Sequence, residues 1–334
     1  EVDDIFNLLS IILNLGNLNF TSNNDISCLH KNEYLDTVLL LSGWKYADIN
    51  TFMCHEYIKI GNEIIKKNLT IQTSEVKLHT FMQDIYESLF NFIIDKINVN
   101  LKIEENDTYN FIGILDIFGF EIFDNNNLEQ LHINYTNEYL QQIFNKNIFK
   151  TEQDEYIKED INYKLIDFID NIDRLHSVHK IFKYVDEECF VPKGNDISLL
   201  NKLSKLEIDY FNVTNLGKAK KRFNFDHYAG NVTYNIRDFV HKNKYHVNKD
   251  TINFTNKSSI KLIHNLNPKK TKKTISSTFK YQLSSLVKII EKTQNYFVRC
   301  IKPNDLNKPD MLDIEKVLVQ LRYGGITEAV KVVQ

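Results

Sequence analysis

Asp116 and Gly119 stand three residues apart at the end of an apolar run, Tyr109 to Phe118, broken only by Asn110, Gly113 and Asp116 itself. An acid at the end of a buried strand, followed by glycine, can set a carboxylate behind a phosphate-bound magnesium ion and a backbone amide against the terminal phosphate of a nucleotide. The same residues suit a plainer arrangement, in which Asp116 accepts from local backbone amides and Gly119 turns the chain, so on these residues alone both readings stand. Lys218, Lys220, Lys221 and Arg222 form one basic cluster and Lys269, Lys270, Lys272 and Lys273 another, each expected in a loop, where lysine-rich segments are ordinarily solvated. His176 and His179 lie one helical turn apart, yet no further ligand is spaced to complete a metal site, and we read them as surface or loop residues.

The elements that must position these residues are mainly helical. Ten Gly and four Pro in 334 residues leave little turn chemistry for an all-β fold. Apolar residues at helical spacing predict a helix over 2–15 that stops at Gly16, and another over 73–101. Between them, Tyr57 to Ile65 alternates around Gly61-Asn62 like a short hairpin or loop. The run from Tyr109 to Phe118 reads as a strand buried on both faces. From Asn125 to about Glu159 neither Gly nor Pro occurs, and Leu128, Leu131, Tyr135, Tyr139, Ile143 and Phe144 recur at three- and four-residue steps, which predicts one long helix. Shorter helices follow to Leu206 with a break at Pro192-Lys193-Gly194, then short strands from Phe223 to Tyr234 around Gly230. Tyr296 to Ile301 reads as a further buried strand ended by Pro303, and residues 311–334 as a helix interrupted at Gly324-Gly325.

Composition sets outer limits. Hydrophobic residues at 43% and charged residues at 25% are ordinary globular values and exclude wholesale disorder. With 41 basic and 44 acidic side chains the net charge is -3, which removes the signature of a nucleic-acid binder and leaves any polyanion or filament contact to local patches. Cys28, Cys54, Cys189 and Cys300 are far apart, which argues against a disulfide framework or structural zinc and fits a reducing, intracellular setting. The apolar run from Ile5 to Leu15 is too short for a membrane span. A chain that begins at Glu1 and ends inside an apolar pattern at Val332-Val333-Gln334 is expected to be a fragment.

The longer string around the acid decides between the two readings. Ile114-Leu115-Asp116-Ile117-Phe118-Gly119-Phe120-Glu121-Ile122-Phe123, then Glu129-Gln130-Leu131 and Ile133-Asn134-Tyr135-Thr136-Asn137-Glu138, closely resembles the myosin motor. The resemblance continues through Leu140-Gln141-Gln142, Asp186-Glu187-Glu188-Cys189, Pro192-Lys193-Gly194, His227-Tyr228-Ala229-Gly230 and Phe297-Val298-Arg299-Cys300-Ile301-Lys302-Pro303-Asn304, and more weakly back to Leu13-Asn14-Leu15-Gly16-Asn17. It implies a helix-rich α/β fold of P-loop NTPase type, this fragment carrying part of a central, mostly parallel sheet. Residues 1–108 would be part of the upper actin-binding subdomain. Residues 109–266 would hold the second-switch strand, the relay helix and the lower actin-binding subdomain, and 267–334 a basic surface loop, a sheet strand and helices leading to the converter.

The implied activity is ATP hydrolysis coupled to an actin filament, in a cytoplasmic, cytoskeletal setting. Asp116 would hold Mg2+ through water, Gly119 would turn its amide to the γ-phosphate, and Glu121 would pair with a first-switch arginine. The helix from Asn125 would be the relay. Actin contacts would come from Ile181 and Phe182 as an exposed apolar anchor, from both basic clusters, and from Glu63 as a built-in negative charge on an actin-facing loop. No G-x-x-x-x-G-K-[ST] loop and no first switch occur, so this piece alone is expected not to assemble an ATP site, and light chains would bind beyond residue 334. Tyr323 and Val333 stand where many family members carry reactive thiols. The alternative is a catalytically silent actin-binding or scaffold protein that lacks the phosphate loop; an unrelated nucleotide-binding domain would need a glycine-rich phosphate site.

Overall fold

The structure is a computed structural model that describes residues 2–23, 26–60, 63–101, 110, 112–162, 170–244, 251–264, 274–326 and 330. Contacts divide the chain into two compact units, Glu1–Ile112 with His246–Thr271, and Gly113–Tyr245 with Lys272–Gln334. The segment 246–266, grouped by the sequence with what precedes it, therefore belongs to the first unit.

In the first unit, α1 (Val2–Leu15) buries Leu8, Ile11 and Leu15, the stripe its spacing predicts. An antiparallel hairpin follows, β1 (Phe20–Asn23) and β2 (Ile26–Leu29), with Phe20 opposite Leu29. Helix α2 (Glu33–Ser42) starts where the Asn32 side chain accepts from the Leu35 amide and ends at Gly43, whose φ of 72° suits a residue without Cβ. After α3 (Tyr46–Cys54), strands β3 (His55–Ile60) and β4 (Glu63–Asn68) pair from His55 opposite Asn68 to Ile60 opposite Glu63, which makes the expected hairpin real. Helix α4 (Ile71–Leu101) turns Leu78, Phe81, Ile85 and Leu89 inward. The sole tryptophan, Trp44, packs here with Phe52, Phe81 and Phe254, the last stacked on Phe52 at 4.2 Å between centroids.

The second unit is built on α5 (Leu128–Asn145), whose helical path runs on through a π-helical turn, Lys146–Lys150, into α6 (Thr151–Lys158). Helix α7 (Ile172–Phe190) lies against it, followed by α8 (Asp196–Leu203). At Gly194, between those two helices, a Cβ would fall 2.1 Å from the Glu188 carbonyl oxygen, so the turn requires glycine. A three-stranded antiparallel sheet follows: β5 (Phe211–Asn212), then, after the short helix α9 (Asn215–Lys220), β6 (Arg222–His227) and β7 (Gly230–Asn235). After α10 (Phe239–Asn243) the chain returns to the first unit as α11 (Thr251–Thr255) and α12 (Lys261–His264). It then re-enters the second as α13 (Ile275–Ile290) and α14 (Ile314–Tyr323), the latter ending at Gly324 as the Gly-Gly break predicts. Leu131, Tyr135, Val178, Val185, Phe223 and Phe225 lie in its core.

Two strand expectations are corrected. Residues 112–123 and 294–304 contain no regular strand, and Ile114 and Val298 are 94% and 84% exposed. An apolar strand buried on both faces needs a ladder on each side. Among the described residues the ladders are local and antiparallel, and the parallel pairing is an isolated bridge, Asn126 opposite Tyr234. The parallel sheet the resemblance implies is therefore not formed by these residues. Among the described residues no helix is long and apolar enough to cross a membrane.

Candidate functional site

The loop after the apolar run is held at its distal end and open at its proximal end. Asp116 is exposed, and a Cβ added at Gly119 meets no atom within 4 Å, so the structure offers open space above that glycine instead of a packing or strain reason for it. From Phe118 onward the loop is tied to α5. Asn137 Nδ2 donates to the Phe118 carbonyl at 3.0 Å. Asn134 grips Glu121 on both backbone groups, accepting from its amide at 2.8 Å and donating to its carbonyl at 2.8 Å. The Glu121 carboxylate receives Gln130 Nε2 at 3.4 Å. Asn126 repeats the two-point grip on Phe123, at 2.8 Å in both directions, and donates to Thr233 of β7 at 3.1 Å.

Helical spacing explains why one helix face does this. Gln130, Asn134 and Asn137 lie at steps of four and three, one above the other on α5, while Leu131 and Tyr135 turn into the core beside them. Phe120 anchors the middle of the loop, packed against His227 at 5.2 Å, Tyr228 at 5.6 Å and Tyr323 at 5.5 Å between ring centroids. Tyr228 in turn donates its hydroxyl proton to the Tyr323 carbonyl at 2.7 Å. Tyr323, at the position noted for a reactive thiol, is here an aromatic wall of the loop.

These residues fit part of a nucleotide site. An exposed Asp116 and the open space where a Gly119 side chain would stand leave room for a magnesium-bound phosphate beside the loop. Among the described residues no group of three or more His, Cys, Asp or Glu side chains could hold a metal ion.

The other expected site residues divide. Ile181 and Phe182 are both 0% exposed and lie in the core, so they are corrected from exposed anchor to core residues: they share the inward stripe of α7 with Leu175, Val178 and Val185. Glu63 opens β4 and is exposed. The first basic cluster lies in α9 and the start of β6, not in an open loop; Lys218 is exposed, while Lys221 (φ 57°) and Arg222 are half-buried at the junction. Lys220 closes α9. Lys269, Lys270, Lys272 and Lys273 lie outside the described residues.

The acidic motif at the end of α7 is a clasp. Asp186 accepts from Thr274 Oγ1, Asn243 Nδ2 (2.9 Å), Ser277 Oγ (3.3 Å) and Lys280 Nζ (3.0 Å), which binds the start of α13 to α7 and α10. Glu188, buried, accepts from Ser198 and Lys202 of α8. Sequence reasoning also left Asn134, Glu138, His227 and Tyr234 without roles. For Asn134 and Glu138 the signal was present as polar residues at i and i+4 on an otherwise apolar helix stripe, whereas His227 and Tyr234 lie on β6 and β7 and carried no such signal.

The family model described as myosin head (motor domain) matches residues 1–334. Among curated proteins of Arabidopsis thaliana, Myosin-6 and Myosin-8 are each 35% identical over 348 residues and Myosin-17 is 35% identical over 349. These alignments cover 99% of this chain but 23% of each relative, so the chain spans about a quarter of the length of the curated relatives it matches.

Proposed function

The chain belongs to the myosin head (motor domain) family, and from that membership we propose that it is the part of an actin-based motor ATPase that carries the second nucleotide switch and the relay helix, within a P-loop NTPase-type fold. The switch is the loop from Asp116 to Phe123 and the relay is the helical path from Leu128 to Lys158. Asp116 would hold magnesium through water, Gly119 would present its amide to the γ-phosphate of ATP, and Glu121 would pair with an arginine of the first switch. Magnesium, when bound, supplies charge neutralisation at the phosphates. The remaining work belongs to the loop, which excludes water and fixes the donors as it closes. The same membership supports light-chain binding and a cytoskeletal setting as parts of this reading.

The observation that carries the reading is the double tie of the loop to α5 through Asn134 and Asn137. A loop bonded to a helix by its backbone cannot shift without displacing that helix or breaking three hydrogen bonds. On the filament side the exposed Glu63, Lys218 and its basic neighbours Lys220, Lys221 and Arg222, and the second cluster Lys269, Lys270, Lys272 and Lys273 are proposed to meet the acidic actin surface. Ile181 and Phe182 have no part in that contact.

The test is quenched flow on an intact parent motor. Glu121→Ala should leave ATP affinity within about twofold to threefold and remove the phosphate burst, since losing a closure contact made only for the chemical step lowers the rate without loosening the ground state. A burst of normal amplitude overturns the assignment.

A further inference from the structure

Behind the loop, the Glu138 and His227 side chains are both 0% exposed and face each other across the space between α5 and β6. The Glu138 carboxylate is surrounded by donors: His227 Nδ1 at 3.0 Å and the Tyr228 amide at 3.2 Å on Oε2, and Asn171 Nδ2 at 2.7 Å on Oε1. The far nitrogen of the imidazole, Nε2, lies 2.8 Å from the Tyr234 hydroxyl. That hydroxyl lies 2.9 Å from Asn134 Nδ2, the same amide that grips Glu121.

A donor and acceptor inventory leaves one proton arrangement. The Glu138 carboxylate accepts from the Tyr228 amide on Oε2 and from Asn171 Nδ2 on Oε1, so it faces the imidazole as an acceptor and His227 carries its proton on Nδ1. Burial lowers the pKa of this imidazole; with Nδ1 donating to Glu138 and Asn134 Nδ2 donating to the phenol oxygen, the Tyr234 proton is left to Nε2, which accepts it. The phenol oxygen, having given its proton away, accepts from Asn134. The Asn134 amide then has both Nδ2 protons committed, to Tyr234 and to the Glu121 carbonyl, and its oxygen committed to the Glu121 amide. A flipped amide would set oxygen against two oxygens and NH2 against N–H. The chain of bonds thus fixes which way round Asn134 stands, and Asn134 fixes the backbone of Glu121.

We propose that Tyr234 and His227 are positioning residues for the switch loop: the buried chain from Glu138 through His227 and Tyr234 to Asn134 keys the Asn134 amide, and so holds Glu121 in the register required for closure. Neither residue touches nucleotide; each acts through Asn134. The proposal makes the β6–β7 hairpin a participant in loop closure. It rests on the reading that the loop carrying Glu121 closes over ATP.

The experiment compares two variants of the intact parent motor with a control. Tyr234→Phe keeps the ring in the core and removes the hydroxyl; Asn134→Asp keeps the shape and removes the donors. Each removes two hydrogen bonds of the chain and should leave ATP affinity within about twofold while lowering the phosphate-burst amplitude per nucleotide-binding site by roughly fivefold or more. A purely structural role would lower thermal stability while leaving the burst per binding site intact. If Glu121→Ala abolishes the burst and Tyr234→Phe retains it, this proposal is overturned and the reading of the loop survives. If Glu121→Ala itself retains the burst, the loop reading falls and the proposal falls with it. Should Tyr234→Phe fail to fold, a normal burst in Asn134→Asp is the overturning result.

Discussion

His132 lies on the inward side of α5, stacked on Phe182 at 4.7 Å between ring centroids, with Nε2 2.9 Å from Ser276 Oγ. Burial pushes its pKa down from 6.5 to about 4, against the partial opposition of Glu129 and Asp186. The unfolded chain titrates near 6.5, so between pH 6.5 and about 4 the unfolded state binds a proton that the folded state refuses. Stability is then complete above that window and falls as pH drops through it, by about 3 kcal/mol for the full shift. His227, also held low by burial, acts with the same sign. Urea unfolding of the chain should show a midpoint that declines from pH 7.5 to 5, and His132→Gln, which keeps a partner for Ser276, should make that decline shallower. An equal slope in the variant would show that His132 is not the source. Neither histidine was legible as a buried titrating group from its neighbours in sequence, because burial of one side chain on a mixed helix or strand depends on what packs over it.

At the scale of elements, the clasp at Asp186 has a clear energetic role. Four donors converge on one carboxylate from α10, from the residue preceding α13 and from α13 itself, and the pair with Lys280 is largely shielded, with side chains 14% and 19% exposed. Asp186→Ala should cost about 2–3 kcal/mol, the range for hydrogen bonds to a charged group. It should also speed hydrogen exchange selectively in the first turn of α13. Uniform exchange changes across the second unit would mean that the clasp does not hold that helix end in particular. Helices α1 and α4 and the hairpins β3–β4 and β6–β7 formed near the expected residues because an apolar stripe or an alternating run is a local pattern, whereas α2, α3 and the β1–β2 hairpin were not expected. The run from Tyr109 to Phe118 was readable only as apolar. Whether such a run becomes a strand is decided by the ladders beside it, which sequence spacing does not contain. The side of α7 that carries Ile181 and Phe182 was ambiguous for a related reason: periodicity gives a stripe but not the surface that covers it.

At the scale of the whole molecule, two cores share one chain. The first is centred on Trp44, Phe52, Phe81 and Phe254, the second on Tyr135, Phe182, Phe225 and Tyr234, and the two clusters have no residue in common. The first unit is discontinuous, completed by a segment that leaves the second unit and returns, so both units depend on the same backbone crossings. Separate cores nonetheless favour separate cooperative transitions, which breaks two-state behaviour. The sole tryptophan is 3% exposed in the first core, so its fluorescence reports that unit alone, whereas far-UV circular dichroism reports helices in both. Phe182→Ala removes a fully buried ring from the second core and should destabilise that unit by roughly 3–5 kcal/mol. The dichroism transition should therefore begin at a lower urea concentration in the variant, while the tryptophan midpoint stays where it is in the parent chain. If the two probes move together by the same amount, the chain unfolds as one cooperative body and the division into two independently stable cores is wrong.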